Sequence, residues 1–82
     1  MMNDLILILR EIFPDLRIER LPIGHRTDDD NVWYLGRRGH REEVQVDTSP
    51  GGAPPFELER RRTRVSAESV REAASKVTEW LA

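Results

Sequence analysis

The chain contains no cysteine, so neither a disulfide nor a thiolate zinc site can supplement its core, and nucleophiles are limited to hydroxyls. Its stability must come from packing alone. A long hydrophobic run is also missing. The longest, Leu5 to Leu9, lies between Asp4 and Arg10 and is too short for a membrane span or a signal-peptide core. A cytoplasmic location without membrane contact is the expectation. Lysine is nearly absent: of 13 basic residues only Lys76 is not arginine. GC-rich coding in a bacterial genome produces such a skew without any selection for phosphate recognition, which lowers the weight of each arginine as a functional signal. Neither charge sign dominates, since the net charge is −2 with 34% charged residues. No overall field therefore draws the chain toward nucleic acid or anionic lipid.

With 82 residues, the expectation is a single compact domain over residues 1–82, burying about 60–65% of the surface its unfolded form exposes. The clearest local signal is Val32 to Val46, where two runs rich in β-branched and aromatic residues flank a glycine turn. Loop length decides which side chains share a face. If Gly39 and His40 are the two central residues of a type II′ turn, Leu35 opposes Val44 and Trp33 opposes Val46. All four then face the core. A three-residue turn would pair Tyr34 with Val44 and turn Trp33 outward. Glycine in the first turn position and the larger apolar content favour the former.

Helical signals bracket the strands. The first helix is predicted to start at Asn3 or Asp4 and to end near Phe13, because Pro14 cannot continue it. Met1, Met2, Leu5, Ile6, Ile8, Leu9, Ile12 and Phe13 share one broad face, and Leu7 falls outside it. The last helix is predicted to be capped by Ser66, with Ala67, Val70, Ala73, Ala74, Val77, Trp80 and Leu81 at i, i+3, i+4 spacing. Leu16 to Leu21 and Phe56 to Arg60 read as further strands, and Thr48 to Pro55 as a loop; the two prolines entering the fourth strand fit one near a sheet edge. The fold class is therefore α+β. An antiparallel sheet of three to four strands in a meander carries the N-terminal and C-terminal helices on one face, in the order α-β-β-β-β-α. Phe56 and Leu58 join the core. Val32, Tyr34, Glu43, Gln45, Asp47, Glu57 and Glu59 look outward.

Candidate chemistry is sparse. His25 and His40 lie beyond opposite ends of the second strand and cannot share an ion. His25 with Asp28, Asp29 and Asp30 lacks the alternating ligand spacing and the glycine of a calcium loop. Gly51-Gly52 precedes prolines and a strand rather than a helix, so it offers no phosphate cradle. No serine sits in a strand-turn-helix elbow. No enzyme activity, cofactor or metal is expected.

The arginines are the sharper lead. Arg60, Arg61, Arg62 and Arg64 lie within five residues, and Arg37, Arg38 and Arg41 surround the hairpin turn. Arg38, Arg41, Arg60, Arg62 and Arg64 are candidates for nucleic-acid or other anion binding. A structural use competes: Glu42 falls opposite Arg60 or Arg62, and Glu43 can reach Arg61, giving cross-strand ion pairs. The order of elements resembles the double-stranded RNA-binding domain, with Gly24-His25 in the loop where that family carries a histidine. The resemblance implies RNA docking through the first helix, that loop and the start of the last helix. Here Asp28 to Asp30 occupy the loop, and Glu68 and Glu72 stand where lysines would be wanted. A nucleic-acid partner is accordingly not expected.

The remaining expectation is a protein-binding module. Size, acidity and an open sheet face make the chain similar in kind to bacterial immunity and antitoxin proteins. The candidate surfaces are Tyr34 with Gln45, Glu57 and Glu59, and the loop holding His25, Asp28, Asp29 and Asp30. Tyr34 is the leading candidate, as an aromatic among polar neighbours; its plain alternative is a tyrosine resting on Val32 and the next strand. A homodimer through Leu7 or an unpaired edge of the first or fourth strand is the second binding expectation.

Overall fold

The structure, a computed structural model, describes residues 1–20 and 32–82. It is an α+β fold. Helix α1 (Met2–Ile12) leads into β1 (Leu16–Arg20), β2 (Val32–Arg37), β3 (Glu43–Ser49), a 3-10 turn (Pro50–Gly52), β4 (Ala53–Arg60), β5 (Thr63–Ala67) and helix α2 (Val70–Leu81). The five strands form one antiparallel sheet in sequence order, a meander. Both helices cover one face and pack on each other.

The β2–β3 register is the one the hairpin pattern predicts, with Leu35 opposite Val44 and Trp33 opposite Val46. The turn differs. His40 donates its N–H to the Arg37 carbonyl at 3.0 Å, so Arg38 and Gly39 are the central residues, and Gly39 takes a φ of 81°. A positive φ in the second central position is the demand of a type II turn, which glycine meets without a Cβ clash. The register survives because Gly36 pairs with Glu43, so the six residues from Arg37 to Glu42 close a loop whose midpoint, between Gly39 and His40, is that of the expected two-residue turn. Facing depends on that midpoint, not on the turn type.

A fifth strand is present where three to four are expected. Arg60 pairs with Thr63 across a two-residue turn, Arg61-Arg62, and the chain returns as β5. Arg61 adopts a φ of 56°, a conformation that costs a side-chain-bearing residue about 1–2 kcal/mol. Arginine carries none of the Gly, Asn or Asp signal by which such a turn is recognised. The extra strand occupies Ser66 and Ala67, so α2 starts later, at Val70, and its cap is Ser69 rather than Ser66. The Glu72 backbone N–H donates to Ser69 Oγ at 3.1 Å, and the Glu72 carboxylate accepts from the Glu68 N–H at 2.5 Å. Ser69-x-x-Glu72 is a capping-box spacing that Ser66 lacks.

The expected loop at residues 48–55 shrinks to the three residues Pro50–Gly52, because β3 runs on to Ser49 and β4 begins at Ala53. With β5 beside it, β4 is an inner strand, and the sheet edges are β1 and β5. Its prolines are tolerated because β5 pairs only from Phe56 onward and the β3 register shifts between Asp47 and Ser49.

Leu35, Val44, Val46, Phe56 and Leu58 are fully buried under Leu5, Leu9, Ala73 and Val77. Trp33 is only half-buried, packed at the core's margin. In α1, Met2, Leu5, Leu9 and Phe13 reach the core, a narrower stripe than the broad face expected. Met1, Ile8 and Ile12 flank it in solvent, as does Leu7 on the far side. Helix α1 starts at Met2, without a side-chain cap, and ends at Ile12 ahead of Pro14.

Both helices finish at the end of the sheet that holds the β2–β3 and β4–β5 turns. Two sheet arginines meet them there. Arg37 stacks on Phe13 with its guanidinium carbon 4.8 Å from the ring centroid and donates Nη1–H to the Leu81 carbonyl at 3.2 Å. Arg60 lies 5.2 Å over the Trp80 ring and donates to the Trp80 carbonyl at 3.4 Å. The last turn of α2 has no basic residue of its own. These two cations supply the charge that a helix C-terminus favours and cover carbonyls left without helical partners.

Candidate functional site

The face of the sheet away from the helices is the first candidate. Register places its residues in rows running across the strands. Glu19, Tyr34, Gln45, Glu59 and Arg64 form one row; Val32, Asp47, Glu57 and Ser66 form the next; Arg17, Gly36 and Glu43 lie on the other side. Among the described residues this face carries five carboxylates, Glu19, Glu43, Asp47, Glu57 and Glu59, against Arg17 and Arg64, with Arg61 at its margin. Every outward position expected from the hairpin and β4 lies on it.

Arg64 organises one half. Its Nη1 donates to Glu59 at 2.7 Å, its Nη2 to Asp47 at 3.2 Å and its Nε to Glu57 at 3.3 Å. Hydrogen bonds to Asp47 and then Glu59 hold its pKa above the ordinary arginine range. Ser66 Oγ donates to Glu57, and Gln45 Nε2 donates to Asp47 at 2.9 Å. At the other edge Arg17 lies 3.5 Å from Glu43 and 3.6 Å from Glu19. Its guanidinium passes over Gly36, where a Cβ would come within 2.8 Å of Nη2. Absence of a side chain there is what lets the cation lie against β2.

Tyr34 sits at the centre of this face. It is half-buried, and its hydroxyl has no hydrogen-bond partner among the described residues. With Glu43, Gln45, Glu59 and Arg61 it lines a shallow depression of about 130 Å³. The structure thus brings Tyr34, Gln45, Glu57 and Glu59 together. His25, Asp28, Asp29 and Asp30 lie outside the described residues.

The arginine candidates separate. Arg60 is turned inward onto Trp80, and Arg64 is held by three carboxylates. Arg61 pairs with Glu42 at 2.5 Å, a cross-strand pair of the kind expected, although the partner is Glu42 rather than Glu43. Arg62 is exposed at the β4–β5 turn, and Arg41 is exposed in the β2–β3 loop. Arg38 borders a cleft of about 590 Å³ lined also by Arg10, Pro14, Asp15, Leu16 and Arg17. The part played by Arg10 has no local sequence signal, because it is brought to Arg38 only by the way α1 ends beside the β2–β3 turn. Asp15 faces Arg37, which donates Nε–H to its two oxygens at 3.2 and 3.3 Å. That hydrogen bond holds the Asp15 carboxyl below its ordinary range, against a smaller opposing effect of desolvation. Among the described residues no group of three or more acidic or histidine side chains is placed to hold a metal ion, and no helix is long and apolar enough to cross a membrane. No protein-family model matches the chain, and no match is found among curated proteins or solved structures.

Proposed function

We propose that this protein is an interaction module that binds another protein through its open sheet face, and that the partner presents a segment rich in lysine or arginine. The observation that carries this reading is Tyr34. An aromatic ring whose hydroxyl has no partner among the described residues lies at the middle of a face five strands wide, ringed by an excess of carboxylates. Tyrosine in such a setting supplies contact area at low entropic cost and a polar tip to orient the partner. The surplus of negative charge steers a basic partner and rejects an acidic one. Arg64 does not cancel the surplus, since one cation is shared by three acids.

The test is capture on the immobilised protein followed by titration of the purified captured protein against defined variants. Tyr34→Ala weakens binding about 30-fold, the scale of a central hot spot near 2 kcal/mol. Glu43→Gln and Glu57→Gln each weaken it less and reduce its dependence on salt. Leu7→Gln, on the helical side, leaves it unchanged. A captured protein that binds Tyr34→Ala as tightly as wild type, or whose affinity ignores salt, overturns the proposal.

A further inference from the structure

The cleft beside the end of α1 has the opposite character to the open face. It is walled by Arg10 from the last turn of α1, by Pro14, Asp15, Leu16 and Arg17 entering β1, and by Arg38 from the β2–β3 turn. We infer that this cleft is a binding site for a small organic phosphate, with the phosphate between the Arg10 and Arg38 guanidinium groups and the organic part against Pro14 and Leu16.

Four observations support it. First, neither the Arg10 nor the Arg38 side chain has an acidic or hydrogen-bonding partner among the described residues, whereas Arg17, Arg37, Arg60, Arg61 and Arg64 are all engaged. Two unpaired guanidinium groups converging on one concavity from separate elements leave a local excess of positive charge that a dianion can neutralise bidentately. Second, the acid in the wall does not spoil the site. Asp15 is already compensated by Arg37, whose Nε–H reaches both its oxygens. Third, the wall is anchored. The Arg38 backbone N–H donates to the Asp15 carbonyl at 3.1 Å, and the Leu16 N–H donates to the Phe13 carbonyl at 3.0 Å. The turn bearing Arg38 is therefore tied to the segment that forms the opposite wall, so the backbone of the site needs no reordering and only the two arginine side chains are immobilised on binding. Fourth, about 590 Å³ lies within the range of small-molecule sites, and it is more than a bare phosphate fills. Exposed Pro14, with the edge of the largely buried Leu16, supplies an apolar surface for the remainder.

Phenyl phosphate is the probe, titrated into the full chain at low ionic strength and followed by backbone amide resonances. The expected result is saturable binding of millimolar affinity or tighter, with the largest shifts at Asp15, Leu16 and Arg38. Arg10→Gln and Arg38→Gln each weaken it tenfold or more. Arg62→Gln, which removes another exposed arginine from the neighbouring turn, changes it by less than twofold. Shifts that rise linearly without saturation, or an equal loss in Arg62→Gln, mean diffuse counterion attraction and overturn the inference. Both arginines are exposed, so the variants retain the fold. Because the variants tested, at Arg10 in α1 and Arg38 in the β2–β3 turn, lie outside the open face around Tyr34, the outcome is independent of the protein-binding reading.

Discussion

Replacing Arg37 with methionine keeps most of the aliphatic stem and removes the charged head from the junction of both helices with the sheet. That head stacks on Phe13, donates to Leu81 and holds Asp15, while its side chain is only 24% exposed. A hydrogen bond from a charged donor contributes about 1.5–3 kcal/mol when the acceptor is otherwise left bare. Stacking on an aromatic ring adds about 0.5–1 kcal/mol. Because the site is partly wet and the groups act together, the loss expected is about 2–3 kcal/mol rather than the upper extreme. At roughly 4–8 °C per kcal/mol for a domain of this size, thermal unfolding followed by circular dichroism shifts down by about 10–20 °C.

The same variant carries a pH signature. Asp15 titrates below its ordinary value chiefly because of the Arg37 hydrogen bond. A carboxyl with a depressed folded value contributes stability that is fully present above the unfolded value, about 3.9, and is lost as pH falls through the folded value. Wild type therefore loses this contribution below about pH 4, and Arg37→Met, lacking the largest part of it, shows a shallower acid slope. A variant whose midpoint moves by less than about 3 °C, or whose acid slope equals that of wild type, refutes the assignment of Arg37 as the clamp between the helix ends.

Two further predictions concern α2. Thr78 Oγ1 is buried without a hydrogen-bond partner among the described residues, so the isosteric Thr78→Val removes a desolvation cost and stabilises the protein by about 1 kcal/mol; a destabilised Thr78→Val in urea unfolding would falsify that reading. Ser69→Ala loses the cap on the Glu72 N–H and costs about 1 kcal/mol, whereas Ser66→Ala, in an exposed position on β5, costs less than about 0.5 kcal/mol. The reverse order in the same assay would return the helix start to Ser66.

Most of the sheet was legible because facing has a period of two and a midpoint. Leu35, Val44, Val46, Phe56 and Leu58 are assigned to the core by alternation, and that assignment tolerates an error in turn type. A missed strand leaves it intact and does its damage further along the chain. Arg61-Arg62 makes a hairpin turn with no residue that advertises one, and Thr63 to Ala67 alternates too weakly to announce β5. Two errors descend from that single omission: the cap at Ser66, and the placing of β4 at a sheet edge. The capping-box spacing of Ser69 and Glu72 was visible and would have corrected the first. For the functional residues the division is similar. The open-face set around Tyr34 follows from register, which is local. The Arg10–Arg38 cleft depends on the end of one helix meeting a turn nearly thirty positions later, and no pattern along the chain encodes that meeting.

A net charge of −2 therefore conceals an uneven distribution, and the unevenness has a structural cause. Both helices end at the sheet end carrying the two arginine-rich turns, so the partial negative charges of their C-termini collect there. Arg37 and Arg60 are drawn inward to meet them. Arg61 and Arg64 are drawn to acids across neighbouring strands, because strand pairing sets Glu42, Asp47, Glu57 and Glu59 within reach. What begins as two arginine clusters in the sequence is thus sorted by the fold into cations committed to helix ends, cations committed to carboxylates, and a remainder. Clustering along the chain is for this reason a poor guide to anion binding. The informative quantity is the charge left after internal partners are assigned. By that measure Arg10 and Arg38 stand out, because both line one cleft and neither has an internal partner among the described residues.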